Sequence, residues 1–222
     1  MSKANKAYSL FNPILFAGCL ILLVGFAIRA SFGVFQIPIQ EDFGWMRVEF
    51  SLAIAIQNLS WGIGEPFFNI ISEKYGTRKA ILLGIVFYAA GLLLSSFAVN
   101  PETHQMLAIL IGFGFSGMGF GVILSVVGRS TSDKHRSLAL GIATSAGSLG
   151  QITGPPLIEK LLQQMPWNHV FMVAAAAILL TTLLLPWIRS DSPVKKDTND
   201  IKMSKVLGYA LKDPTFAMIF LG

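Results

Sequence analysis

Six long runs of apolar residues divide this chain, and polar residues are concentrated in the gaps between them. The runs cover residues 13–37, 50–72, 79–99, 106–128, 138–162 and 169–188. A helix needs about 20 residues to cross a hydrocarbon core that is ~30 Å thick, and each run is near that length. The pattern therefore predicts six transmembrane helices.

The basic residues follow these runs with a strict alternation. All but three of the 17 lysines and arginines precede the first run or fall in the second, fourth and sixth gaps; the exceptions are Arg29, Arg47 and Lys160. Loops on the cytoplasmic side carry the excess of lysine and arginine. We therefore predict an integral protein of the plasma (inner) membrane with a cytoplasmic N-terminus.

Composition supports this prediction and argues against several other classes of protein. Hydrophobic residues make up 53% of the chain and charged residues 13%. The net charge of +5 lies on one side of the membrane, where it contacts anionic lipid, so nucleic acid is not an expected partner. A single cysteine, Cys19, excludes an intrachain disulfide. No metal-ligand cluster or nucleotide motif is found, so neither a metal nor a cofactor is predicted.

The sequence divides into three parts. Residues 1–190 form the six-helix unit, and residues 191–213 form a cytoplasmic linker that includes a short amphipathic helix on the membrane surface. Residues 214–222 are apolar but too few to cross a bilayer. We interpret them as the truncated start of a seventh span.

The second gap contains a short acidic and basic motif around a glycine. It resembles the signature loop of the major facilitator superfamily, whose pattern is Gly-x-x-x-Asp-Arg/Lys-x-Gly-Arg/Lys-Arg/Lys. The matching residues are Glu73, Lys74, Gly76, Arg78 and Lys79. Three positions depart from the pattern: Asn69 replaces its first glycine, Glu73 replaces its aspartate, and Thr77 interrupts its basic run. Gly76 permits a backbone conformation that other residues rarely adopt, which suits a tight turn.

The resemblance implies an all-α integral membrane fold. Six transmembrane helices would form one half of a twelve-span carrier, built as two inverted three-helix repeats, with substrate bound near the membrane midplane between the halves. In the family, the acidic residue and its basic neighbours latch this loop to the C-terminal half, which is therefore an expected partner. A generic basic turn between two helices is the alternative interpretation.

Two further segments resemble a narrower group within that family. Residues 29–45 resemble the first span and outer loop of monocarboxylate-transporter-like and oxalate/formate-type bacterial permeases, and residues 136–150 resemble their fifth-span signature. Such permeases move small organic anions, often with a proton. The resemblance therefore implies a secondary active transporter of a monocarboxylate-like anion that works by alternating access and is coupled to protons. It does not name the substrate.

Arg29 is the residue that most needs an explanation, because a guanidinium within a span costs about 2.5 kcal/mol to insert and normally faces a cavity or a partner. Its planar fork of donors suits a carboxylate. The candidate partner is Glu65, which could also carry a proton. At 1.5 Å per residue the two lie roughly 10 Å apart along the membrane normal, so a direct pair is marginal.

Polar residues at helical spacing on the first, second and fifth runs complete the predicted substrate site. Its members are Arg29, Gln36, Asn58, Glu65, Thr144, Ser148 and Gln151. Alternatives remain for several of them: Arg29 could be a structural ion pair in a carrier for a neutral or other solute. Glu65 could be permanently neutral, and the hydroxyls of the fifth run could serve helix packing.

The glycines of the fourth and fifth runs suggest close helix packing, and one group of them also suggests an enzyme. Without a hydrophobic drive between helices in lipid, small residues let backbones approach.

Residues 114–117 also fit the Gly-x-Ser-Gly motif of rhomboid intramembrane proteases, with Ser116 as nucleophile. A serine needs a base within hydrogen-bond reach. His169 lies at the mouth of its span, and His104 and His135 fall in predicted loops, so we predict a carrier and not an enzyme. A pore is disfavoured because no ring-forming polar repeat is found.

Overall fold

The computed structural model describes residues 12–188, whose regular secondary structure is all helical. The α-helices are α1 (Pro13–Ala30), α2 (Gln36–Phe43), α3 (Arg47–Tyr75), α4 (Thr77–Ser95), α5 (Pro101–Met118), α6 (Phe120–Ser130), α7 (Asp133–Leu162) and α8 (Trp167–Leu180). Two 3₁₀ segments, Ser31–Phe35 and Thr181–Trp187, follow α1 and α8. The all-α prediction is confirmed. The predicted linker and seventh span lie outside the described residues.

Four helical stretches of the described chain are long and apolar enough to cross a membrane: Pro13–Phe43, Thr77–Ser95, Pro101–Ser130 and Trp167–Trp187. They correspond to the first, third, fourth and sixth predicted spans. The helices α3 and α7 are 29 and 30 residues long. They are not among the four, because the polar side chains that suggested a substrate site lower their hydropathy. The second and fifth spans therefore stay predictions.

Capping asparagines set the starts of α1 and α5. The side chains of Asn12 and Asn100 accept hydrogen bonds from the backbone N–H groups of Leu15 (2.8 Å) and Thr103 (3.0 Å). Each asparagine is followed by proline. Proline suits the first helical position, because an N–H there would have no partner within the helix. The helix α5 thus begins five residues before the fourth apolar run.

The loop placements predicted for two histidines are wrong, because α5 and α7 begin before the apolar runs do. His104 and His135 lie in the first turns of α5 and α7, not in loops. His104 is 2% exposed, and its ring stacks on Phe50 with centroids 5.5 Å apart. Trp45 lies 5.6 Å from it. An aromatic cluster that hydropathy does not reveal therefore surrounds the start of α5.

Two of the predicted continuous spans are interrupted. The segment Ser31–Phe35 tightens the first span to a 3₁₀ helix immediately after α1. Gly119 has an extended backbone, with φ −80° and ψ −169°, and separates α5 from α6. Backbone that leaves the helix at membrane depth is tolerated where neighbouring groups satisfy it, and it often marks the site of a carrier.

Glycines hold the bundle together by direct backbone contact. A Cβ atom built on Gly114 would lie 2.2 Å from the backbone nitrogen of Tyr88, and one built on Gly112 would lie 2.1 Å from the carbonyl oxygen of Gln57. Gly150 and Gly154 approach α1 as closely. The predicted close packing of α5 and α7 is confirmed. Gly141 is the exception, since a Cβ atom added there would meet no atom within 4 Å.

Candidate functional site

Arg29 lies where α1, α3 and α5 meet. Its Cζ atom is 4.5 Å from the centroid of the Trp61 ring and 5.7 Å from that of Phe115. Its Nη2 atom donates a hydrogen bond to the side-chain oxygen of Asn58. A guanidinium over an indole face is attracted by the negative quadrupole of the ring, most strongly where water is excluded. The cation is therefore held by an aromatic face and an amide.

The guanidinium keeps donors that the bundle does not use. The Nε atom of Arg29 is buried and has no hydrogen-bond partner among residues 12–188. No carboxylate lies within ion-pair distance of Arg29 in the same part of the chain. Nε and Nη2 form one edge of the fork that binds a carboxylate with two hydrogen bonds. Asn58, which is exposed, occupies half of that edge.

Glu65 is tied to the same indole from the other side. The Nε1 atom of Trp61 donates to Oε1 of Glu65 at 3.1 Å. The carboxylate is half-buried and lies against the first turn of α6, where a Cβ atom on Gly121 would be 2.6 Å from Oε2. The first N–H groups of a helix lack partners within the helix and form its positive end. Glu65 therefore faces a favourable electrostatic environment at the break in the fourth span.

Arg29 and Glu65 form no ion pair, as the predicted offset between them implied. Instead Trp61 contacts both, with its face to the cation and its N–H to the carboxylate. In the sequence, Trp61 is notable only because it lies at helical spacing between Asn58 and Glu65 on the second run. The spacing of Trp61 and Glu65, four residues apart on one helix, was the signal available for their contact.

Gln36 does not share a helical face with Arg29, as the sequence suggested that it would. In a continuous α-helix Gln36 would share a face with Arg29. Five residues of 3₁₀ helix, at 3.0 residues per turn, rotate it by roughly 100° from that face. Its amide donates to the side-chain oxygen of Gln40 at 3.5 Å. Its role in the site stays a prediction.

The three predicted residues of α7 form a separate exposed row. Thr144, Ser148 and Gln151 are all exposed in the described part of the chain. The hydroxyl of Thr144 donates to the carbonyl of Leu140 at 2.9 Å, which satisfies it within its own helix. The row remains a predicted substrate contact.

The signature motif serves two different purposes. Gly76 has a φ of +98°, which confirms the predicted turn conformation. Arg78 donates to the carbonyl oxygen of Ile188 from Nη2 (2.9 Å) and Nε (3.2 Å), and to that of Pro186 (3.1 Å). It thereby binds the free carbonyls that follow α8. Glu73, Lys74 and Lys79 are exposed.

Ser116 has a structural environment and not that of a nucleophile. It is fully buried, and its hydroxyl lies 2.8 Å from the carbonyl oxygen of Trp61 and 3.2 Å from that of Gly112. No hydrogen bond joins it to a histidine within residues 12–188. His169 lies in the first turn of α8, with Nδ1 3.0 Å from the side-chain oxygen of Asn168.

A cavity of about 530 Å³ lies away from Arg29, at the start of α1. Its described lining residues are Asn12, Pro13, Leu15, Phe16, Cys19, Ile142 and Trp187. None of these is charged, and all but one are apolar or weakly polar. This cavity does not suit an anion, whereas the surroundings of Arg29 do.

Comparison with known proteins gives a consistent result. The chain matches the Major Facilitator Superfamily family model over residues 17–222. It is 31% identical to monocarboxylate transporter 13 of Bos taurus, over 76% of this chain and 40% of that protein. It is 25% identical to human monocarboxylate transporter 12 (81% and 36%) and 25% identical to the sialic acid transporter NanX of Escherichia coli K12 (78% and 41%). The chain thus spans less than half the length of each of these relatives.

Proposed function

This chain belongs to the Major Facilitator Superfamily, and we propose that it forms the N-terminal half of a secondary active carrier for a small organic anion. Its family and the names of its relatives support a membrane transporter and not an enzyme. In the proposed arrangement α3 and α7 also cross the membrane, which gives six spans in two inverted repeats. The alternation of basic residues supports a cytoplasmic N-terminus in the plasma membrane.

The observation that supports an anionic substrate is the state of Arg29. A cation in a membrane segment is expensive to keep unless a negative charge or a cavity accompanies it. Arg29 has an aromatic face and one amide, but no carboxylate at ion-pair distance among the described residues and an unpartnered Nε. A substrate carboxylate would supply the direct ion pair that Arg29 lacks. The names of the relatives, monocarboxylate and sialic acid transporters, denote organic acids.

Charge balance between Arg29 and Glu65 supports proton coupling. In the empty site, an ionised Glu65 balances the charge of Arg29. In the loaded site, Glu65 is protonated and the substrate carboxylate balances Arg29. Both states are neutral, whereas a site that holds only the proton or only the anion carries a net charge. Moving a net charge through a low-dielectric region is costly, so alternating access favours the empty and fully loaded states.

Uptake into proteoliposomes by the complete carrier that contains this half tests the proposal. We expect uptake of labelled lactate, or of a larger monocarboxylate, that rises when the outside is acidic. The matched amide, lactamide for lactate, is the control, because it keeps the shape and lacks the charge. We expect no uptake by residues 1–222 alone, since they supply half of the site. Equal uptake of acid and amide, or uptake by the 222-residue chain, would contradict the proposal.

The exposed acidic residue of the motif allows a test of the latch between halves. We expect Glu73→Lys to lower the turnover of the complete carrier several-fold without lowering its expression, because it places like charges at the contact and favours inward-facing states. Glu159→Lys makes the same charge change at an exposed position at the end of α7 and should leave transport unchanged. Wild-type transport by Glu73→Lys would show that the motif is only a turn.

A further inference from the structure

We infer that Trp61 is a positioning residue through which the protonation of Glu65 controls how firmly Arg29 is held. The inference rests on the proposed function, and it assigns a task to a side chain that neither binds the substrate nor carries the proton. The supporting geometry is one indole that contacts both charged groups: its face lies 4.5 Å from Cζ of Arg29, and its N–H donates to Glu65 at 3.1 Å.

The indole is held in place independently of these two contacts. The carbonyl oxygen of Trp61 accepts a hydrogen bond from the hydroxyl of Ser116 at 2.8 Å. The ring meets Phe115 edge to face, with centroids 5.2 Å apart and planes at 69°, and it meets Phe26 in the same way at 6.1 Å and 81°. Contacts from α1 and α5 thus fix the orientation of a residue on α3. Because the ring is fixed, a change in its contact with Glu65 alters its contact with Arg29.

The two contacts reinforce each other when Glu65 is ionised. A hydrogen bond to a carboxylate polarises the indole, which makes its face more attractive to a cation. Protonation of Glu65 weakens that hydrogen bond and removes the negative charge beyond the ring. Arg29 then has a weaker hold on the bundle and no compensating charge nearby. A substrate carboxylate at the unpartnered Nε then supplies the negative charge that Glu65 no longer provides, so proton binding favours anion binding.

Few other ionisable groups face this arrangement. On α4, Tyr88 directs its hydroxyl to the carbonyl oxygen of Gly25 at 3.3 Å. On α5 and α6, the groups that face Glu65 and Trp61 are Phe115, Ser116 and the glycines at 119 and 121. The carboxylate fits because Gly121 has no side chain. Protonation of Glu65 is therefore the change that would alter the interaction of the indole with Arg29.

Trp61→Phe separates positioning from packing, because phenylalanine keeps an aromatic face and loses the N–H. We measure uptake of labelled lactate, or of the best monocarboxylate, by the complete carrier between pH 5 and pH 8. Because the indole N–H favours a carboxylate over a carboxylic acid as its acceptor, loss of this donor should move the half-maximal pH of uptake upward by about one unit. At pH 5, uptake should fall by less than about threefold. Trp187→Phe makes the same substitution at a half-exposed position and should change neither quantity.

A second variant keeps the test decisive if Trp61→Phe folds poorly. Glu65→Gln still accepts the indole N–H but cannot take a proton, so its uptake or substrate binding should no longer depend on pH. In that background Trp61→Phe should cause no further shift, since the two residues act through one contact. If the wild-type carrier transports the acid with a pH dependence that Trp61→Phe leaves in place, the inference is wrong and the proposed function stands. If the wild type transports no organic acid, the proposed function itself is wrong.

Discussion

Arg29→Gln should abolish proton-driven uptake of the anion by the complete carrier, with substrate affinity at least ~100-fold lower. The substitution removes a charged donor pair, and hydrogen bonds to charged groups contribute about 1.5–3 kcal/mol each. Arg29→Lys keeps the charge but loses the planar fork, so affinity should fall by about tenfold. Binding is measured by calorimetry or by protection from thermal unfolding in detergent. Arg47→Gln, at an exposed arginine of α3, is the matched control and should bind normally.

A purely structural role for Arg29, in a carrier of a neutral or other solute, predicts a different pattern. Both variants would then lower yield and thermal stability, because the contacts with Trp61 and Asn58 would be lost. Glu65→Gln would rescue Arg29→Gln by removing the unbalanced negative charge. Stable Arg29→Gln protein that binds the anion with unchanged affinity would end the binding hypothesis.

The second large effect is expected at the contact between α4 and α5. Gly114→Val should destabilise the bundle by about 3 kcal/mol or more, because the added atoms meet backbone and not a flexible side chain. The first of them would lie 2.2 Å from the nitrogen of Tyr88 and 2.7 Å from the carbonyl carbon of Phe87. Thermal unfolding in detergent, together with the yield of monodisperse protein, measures this loss.

Gly141→Val is the matched control for that prediction. It places the same side chain on a glycine of α7 that has open space around it. We expect its thermal stability to stay within a few degrees of the wild type. Equal stability of the Gly114 and Gly141 variants would mean that α4 and α5 do not pack as closely as described.

Hydropathy predicts the helices of this protein well, because each apolar run must be buried or face lipid and its length is limited by the membrane. The breaks in the first and fourth spans are not predicted. Ser31–Phe35 contains no proline, and Gly119 is one glycine among many in its run. These breaks depend on which neighbours satisfy the backbone, and that depends on tertiary packing.

Only part of the candidate site was predicted, because the rest also depends on tertiary packing. The unusual charge of Arg29 and the polar stripe of α3 are visible in the sequence, and the structure brings Arg29, Asn58 and Trp61 together. The 3₁₀ segment after α1 rotates Gln36 off the helical face that carries Arg29. The contact of Glu65 with α6 exists because Gly121 allows it, and nothing in the local pattern distinguishes that glycine from its neighbours.

The hydrogen bonds of Arg78 have a consequence for the order in which this protein is made. Arg78 and its acceptor Ile188 are 110 residues apart, so the arginine leaves the ribosome long before its partner exists. In the proposed topology its charge acts until then only by keeping the loop before α4 on the cytoplasmic side. The hydrogen bonds to Pro186 and Ile188 can form only after α8 has been made. In that topology one guanidinium first directs membrane insertion and later ties the start of α4 to the segment that follows α8.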